Sequence, residues 1–218
     1  MHLSPEALAR RPALPLKPAT PVLSGRLARL RPLDTAADAE ALYRISNGQP
    51  VTIGGNSVGS YDADERIWRY MAAGPFGGLD EFRVYLEQLQ APGNQSAYCV
   101  VLAAGDAPCG VATLMNNVPE HLKIELGNIW YSPAAQRTGV NAEATFLMLE
   151  RCFRLGYRRV EWKCDALNER SRRAALRMGF QFEGIQQAHM IIKGRNRDTA
   201  WFRILDSEWP GIAIRGPA

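Results

Sequence analysis

The stretch Gln136-Arg137-Thr138-Gly139-Val140-Asn141 combines two features that suit an anion. Its small residues leave successive backbone N–H groups open, and a helical pattern begins where they end. Val140, Ala144, Leu147, Met148, Cys152 and Leu155 recur at helical spacing, which predicts an amphipathic helix over about 137–155. The first amides of a helix have no partner within it, and the helix dipole adds positive potential there. A phosphate is well suited to such an end. The same residues also fit an ordinary strand–loop–helix connection capped by Thr138. A P-loop is excluded, because no GxxxxGK run exists in the chain. The glycines of GGNSVG (54–59) lead into Ser-Tyr and read as a loop.

Two further patterns flank that helix. In KIELGNIWY (123–131) the apolar alternation slips by one residue between Leu126 and Ile129. A slip would turn every later side chain to the wrong face, so a bulge is predicted at Gly127-Asn128. A bulge bends a strand and frees backbone groups for a ligand; Trp130 fits either face. RVEWKCD (159–165) alternates strictly, with Val160, Trp162 and Cys164 on one side and Glu161, Lys163 and Asp165 on the other. A helix follows over about 168–178, opened by Asn168 and closed by Gly179. Ser171 lies one turn inside it. Arg170, Arg172, Arg173 and Arg177 are exposed or face an anion.

These patterns need a scaffold, and the rest of the chain supplies one. LARLRPL reads as a strand and TAADAEALYRISN as a helix opened by Asp34 or Thr35. QPVTIGGNSVGSYDADE reads as a long loop, GLDEFRVYLEQLQ as a helix, and SAYCVVLAAG with CGVATLMNN as a strand pair. Two last strands meet at KGRNRD. Antiparallel meanders early and strand–helix alternation after residue 120 predict an α/β fold: a mixed, largely antiparallel sheet with helices on both faces. The 218 residues suffice for one domain, set at 24–209. Residues 1–23 form a Pro/Arg-rich tail that adds little to the core, and 210–218 a closing tail. The start lacks the apolar centre of a secretory signal, and no apolar run reaches about 18 residues. The four cysteines lack CxxC spacing and read as reduced core thiols of a cytoplasmic protein, with no metal site. The net charge of +4 is mild, but arginine is dense between 151 and 177, so a local anion site is plausible.

The bulged strand, the Gln136–Asn141 loop, and Asn168-x-x-Ser171 ending in Gly179-Phe180 together resemble the GNAT N-acetyltransferases, and within them the RimJ/RimL-like branch. The closing GRNRDTAWFRILDSEWP is similar to that branch as well. The resemblance spans about residues 24–209. It implies an acetyl-CoA-dependent enzyme whose loop Gln136, Arg137, Thr138, Gly139, Val140 and Asn141 grips the pyrophosphate. It implies that Ile129, Trp130 and Tyr131 pair with the pantetheine arm as an added strand, where strands splay to open a slot for the thioester. Asn168, Ser171 and Arg172 complete the cofactor site, with Arg172 and Arg173 as candidates for the ribose 3′-phosphate. Asn141 departs from the family's Gly or Ala, and Ala175 from the tyrosine many members carry.

The implied reaction is direct attack of a neutral primary amine on the acetyl thioester, so a base must take a proton. Glu125 matches a position where relatives often have a carboxylate base, and Ser171 can donate to the departing thiolate or hold a water. His121 and His189 are alternative bases; Asn128 and Asn168 orient groups. Other classes stay open: a non-catalytic acyl-CoA-binding protein, or a ribosome- or RNA-associated module. DNA and membrane partners are not expected, and a homodimer is left open. The acceptor is a protein N-terminus or a small-molecule amine, with its side built from 48–80 and the 186–198 hairpin.

Overall fold

A computed structural model describes residues 2–217; Met1 of the opening tail and Ala218 of the closing one lie outside the described residues. In chain order the elements are α1 (Pro5–Ala9), β1 (Leu23–Ser24), β2 (Ala28–Pro32), α2 (Thr35–Arg44), β3 (Val51–Ile53) and β4 (Asn56–Val58). Then come α3 (Leu79–Gln90), β5 (Ser96–Leu102), β6 (Pro108–Val118), β7 (Lys123–Tyr131), α4 (Val140–Arg154) and β8 (Arg159–Asp165). Finally α5 (Glu169–Arg177), β9 (Gln181–Ile192), β10 (Arg195–Leu205) and α6 (Trp209–Ala213) close the chain.

One sheet of eight strands, ordered β1-β2-β5-β6-β7-β8-β10-β9, carries the molecule. All its neighbours are antiparallel except β7 and β8. A parallel pair needs a crossover, and α4 is that crossover. The sheet is the mixed, largely antiparallel one predicted, with helices on both faces. Each face has its own core. On one side Val140, Ala144, Met148 and Cys152 of α4 pack on Leu30, Val100, Ile124, Leu126 and Val160. On the other, Ala39 and Leu42 of α2 and Phe82, Leu86 and Leu89 of α3 pack on Cys99, Val101 and Val111. β5 lies between the two and is buried through its first six residues, hence its unbroken apolar run. The predicted helix caps hold at α2 and α5: Asp34 accepts from the amides of Ala36 and Ala37, and Asn168 from that of Ser171.

Three expectations change. The stretch read as one long loop contains the β3–β4 hairpin, turned by Gly54 and Gly55 at φ +56° and +84°. Two positive φ values in a two-residue turn match strand twist, and a Gly-Gly pair supplies them. The opening tail is docked, since Leu14 joins the α4-side core and Pro18 is buried. The Asn117 amide donates to the carbonyls of Pro15 (2.9 Å) and Leu16 (2.8 Å). In the closing tail, Ile212 of α6 is buried in the same core; Trp209, the last residue of the expected domain, stacks on Phe153.

Candidate functional site

The gap between β7 and β8 is where the sheet opens. The two strands pair from Lys123↔Arg159 to Leu126↔Trp162 and no further. Opposite β6, Val111 faces Trp130 and Thr113 faces Gly127, so β7 carries one extra residue. This is the predicted bulge, with Asn128 at φ +47°. From Gly127 onward β7 has no strand partner on its β8-facing edge, and that edge can take an amide chain as a further strand; the Tyr131 carbonyl already accepts from Gln136 Nε2 at 3.0 Å. Only the backbone of Ile129, Trp130 and Tyr131 can serve there. The Trp130 indole is buried in the α2/α3 core and donates to Tyr85 Oη at 3.1 Å; the Tyr131 ring enters the opposite core.

At the mouth of the gap stands the start of α4, which begins at Val140 rather than near 137. Thr138 does not cap it: its hydroxyl donates to the Ala135 carbonyl at 2.7 Å. Gly139, at φ +85°, holds the cap position without any side-chain bond, and Arg137 adopts φ +65°. A non-glycine residue held there costs on the order of 1 kcal/mol or more, a strain that tends to mark functional loops. Asn141 sits inside the helix, so the residue that departs from the family needs no unusual backbone angle. The Glu143 carboxylate turns toward the β1–β2 turn and accepts from the amides of Arg26 (2.9 Å), Leu27 (2.6 Å) and Ala28 (2.7 Å). The α4 N-terminus is thus left without a side-chain cap, as a phosphate requires, and the open strand edge beside it fits a pantetheine arm. The chain's own residues therefore suit coenzyme A.

Polar groups flank the gap on both faces of the sheet: Glu125 and Lys163 on the face away from α4, Ser171 beside Trp162 on the α4 face. Glu125, 4 % exposed, accepts from Asn116 Nδ2 at 2.8 Å and lies 2.7 Å from Lys163 Nζ. Lys163 sits 4.5 Å over the Trp201 ring. His189 Nδ1 is 2.9 Å from Thr199 Oγ1, and its ring lies 5.9 Å from Trp201. Ser171 Oγ accepts from Trp162 Nε1 at 3.0 Å. Ala175 is fully buried. The remaining candidates are engaged elsewhere. His121 lies in the turn that precedes β7, roughly 20 Å along the strand from the gap at about 3.3 Å per residue. Arg173 pairs with Glu169 on the exposed side of α5. Arg172 donates to the Ala166 carbonyl at 3.2 Å and lies over Phe182.

A segment with no clear sequence signal joins these parts. Residues Asp64–Trp68 form one wide helical turn in which the Arg69 amide reaches back to the Asp64 carbonyl. Its carbonyls are taken by side chains from three directions. Gln136 of the α4 loop donates to Arg66 (3.2 Å), and Arg170 of α5 to Glu65 (2.8 Å). Lys193 and Arg195 of the β9–β10 turn donate to Trp68 (2.8 Å) and Arg69 (2.9 Å). Burial lowers the pKa of Lys193, while Asp64 at 3.6 Å works against that. The two stretches expected to build the acceptor side, 48–80 and 186–198, meet here.

The family described as Acetyltransferase (GNAT) domain matches residues 28–181. A GCN5-related N-acetyltransferase from Brucella melitensis is 37% identical over 90% of this chain and 83% of its own, with a TM-score of 0.80. A GNAT-family acetyltransferase from Chromobacterium violaceum is 36% identical over 89% and 90%, with a TM-score of 0.78. The Salmonella typhimurium acetyl transferase that modifies the N-terminal serine of ribosomal protein L7/L12 is 17% identical over 84% and 98%. Its TM-score of 0.68 shows a shared fold. No curated protein sequence matches the chain. The chain belongs to the GNAT acetyltransferase family, and it is an enzyme of acetyl transfer.

Proposed function

We propose that the protein transfers the acetyl group of acetyl-CoA to a primary amine, by direct attack in a ternary complex. The observation that carries this is the unpaired edge of β7 beside an α4 N-terminus that no side chain caps. In this reading the amides of the 136–141 loop hold the pyrophosphate, and the backbone of Ile129–Tyr131 aligns the thioester. Acetyl-CoA supplies the activated acyl group. A carbon–nitrogen bond forms as the carbon–sulfur bond breaks, one amine proton leaves, and the sulfur departs to become a thiol. Glu125, fixed by Lys163 and Asn116, is the proposed proton acceptor. Ser171, whose oxygen accepts from Trp162 and whose hydroxyl lies within hydrogen-bond reach of the Cys164 thiol, is the proposed proton donor to the coenzyme sulfur. Asn168 holds the first turn of α5 that presents Ser171. Arg172 remains a proposed phosphate contact, on condition that it leaves the Ala166 carbonyl.

The RimJ/RimL-like branch is proposed on Asn168-x-x-Ser171, Gly179-Phe180 and the closing Glu208-Trp209, which favour a protein N-terminus or a small amine as acceptor. Four buried cysteines without disulfides support a cytoplasmic place. The test is a panel of peptides, amino acids, polyamines and aminated antibiotics with purified protein and acetyl-CoA. The expected result is CoA release matched by the gain of one acetyl group on acceptors of one class. Tight CoA binding with no acetylated product from any class would make this a non-catalytic acyl-CoA-binding protein.

A further inference from the structure

The Arg197 side chain has no carboxylate partner and no hydrogen bond among the described residues, and its Nε is buried without an acceptor. A guanidinium carries five donors and cannot shed its charge, so an unmet one in a half-buried place is costly unless a ligand completes it. Its position follows from the strand register. Thr199 of β10 faces Asp165, and the Ala166 amide donates to the Asp198 carbonyl at 2.8 Å. Arg197 therefore stands just past the end of β8, where the gap to β7 is open. The extra residues of the β9–β10 irregularity lie on β9, between Gln186 and Met190. Alternation along β10 thus puts Arg197 on the same face as Thr199 and Trp201, the face of Lys163 and Glu125.

The neighbouring charges point the same way. From the wide turn, β8, α5 and the β9–β10 turn come Arg69, Lys163, Arg170, Lys193 and Arg195. Their nearby carboxylates are already committed: Asp64 to Lys193 and Arg69, Glu125 to Lys163, and Asp165, at the end of β8, to the Leu167 amide. Asp198 accepts from the Ala188 amide and from Asn196. The rim is left with an excess of positive charge, which repels a polycation and attracts an anion.

We propose that the acceptor carries a carboxylate or phosphate within a few bonds of its amine, and that Arg197 binds it. This rests on the proposed amine acetylation and names its substrate class. The cationic surroundings also disfavour a protonated amine, so the acceptor is delivered closer to its neutral, reactive form.

The experiment compares matched acceptors at saturating acetyl-CoA: glutamate with glutamine, phosphoethanolamine with ethanolamine, and Ser-Asp with Ser-Asn peptides. At least one anionic member should exceed its neutral twin in kcat/KM by about tenfold or more, and the pair that does so separates carboxylate from phosphate. Salt should shrink the ratio. Arg197→Gln should bring it within about threefold, leaving neutral acceptors and CoA affinity unchanged, and Arg197→Lys should restore part of it. Preference for neutral or cationic acceptors, or an unchanged ratio in Arg197→Gln, would overturn the proposal. A tenfold loss of CoA affinity in that variant would overturn it too, by giving the guanidinium to the coenzyme's phosphates. Calorimetry of the same acceptors on CoA-loaded protein yields the Arg197 ratio without turnover. A catalytically silent enzyme would then sink the transfer reading and leave this one to be judged on binding.

Discussion

Glu125 is a carboxylate with a fixed address. One of its oxygens faces both Lys163 and Asn116, and the residue is almost fully buried. Two partners on one oxygen hold the carboxylate in a single orientation, so its contribution as base rests on alignment with the attacking amine. Glu125→Gln keeps the shape and removes the proton acceptor. We expect turnover to fall about 10²–10⁴-fold with CoA affinity intact. A pH–rate profile on one acceptor decides the assignment: an acidic limb that persists unchanged in Glu125→Gln moves the role to His189, whose Nε2 makes no hydrogen bond among the described residues. The cysteines offer a second test at this scale. Burial pushes the thiols of Cys99, Cys109 and Cys152 up to about 12 and raises that of Cys164. An unfolded thiol ionises near about 8.5. The folded state therefore holds these protons more tightly, and its stability should decline as pH climbs from about 8.5 toward 12. At pH 8 a thiol reagent should modify the native protein slowly and all four cysteines at once after denaturation; fast labelling of the native state would mean that these thiols are not sealed. The sequence made the thiols' inertness legible, because each sits in an apolar context. It could not reveal that Lys163 occupies Glu125, since the two come from strands 38 residues apart.

Among the elements, α4 and its loop carry the most testable geometry. A Cβ on Gly139 would meet Leu27 Cδ1 at 2.9 Å, and the positive φ is strained for any other residue. Leu27 is held there by the grip of Glu143 on residues 26–28. Gly139→Ala tests this crowding alone, whereas Gly139→Asp adds a carboxylate where phosphate is proposed to lie. We expect Gly139→Asp to weaken CoA binding at least tenfold, about 1.4 kcal/mol, and clearly more than Gly139→Ala. Unchanged affinity in a folded Gly139→Asp variant would remove the loop from the site. The helix and the bulge were legible because periodicity and its slip are local properties of the chain. The cap was not: Thr138 has the right chemistry for one, but its hydroxyl finds the Ala135 carbonyl first, and the helix starts two residues later. The β3–β4 hairpin had a usable signal in Gly54-Gly55 between short alternating runs, weakened by strands of only three residues. The wide turn at Asp64–Trp68 had none, because partners distant in sequence hold its carbonyls.

For the molecule as a whole, the opening arm is where sequence and structure part most. Proline content and the lack of a repeating apolar pattern predict a loose tail, and such a pattern is indeed absent. What docks the arm is a few contacts with residues 73 to 132 positions away. Leu14 enters the α4-side core. Asn117, 1 % exposed, spends its amide on the Pro15 and Leu16 carbonyls while its oxygen accepts from Tyr157 Oη at 2.9 Å. Lys17 donates to the Gln90 carbonyl at 2.7 Å and Arg151 to that of Ala19 at 3.4 Å. Removing residues 2–19 would expose the Leu14 site, worth about 1.5–3 kcal/mol, and strand the Asn117 amide, worth about 1–3 kcal/mol more. At about 2–4 °C per kcal/mol for a chain of this size, the thermal midpoint should fall by roughly 5–25 °C. Asn117→Ala in the full chain separates the two causes: it frees the arm's carbonyls to water and leaves Leu14 in place, so it should produce part of the drop. The arm makes none of the contacts described around the gap, so at a temperature where the shortened protein remains folded its affinity for CoA should match that of the full chain. A midpoint within two degrees of the full chain would show the arm to be a passive cover; a loss of CoA affinity in the folded remainder would tie it to the gap instead.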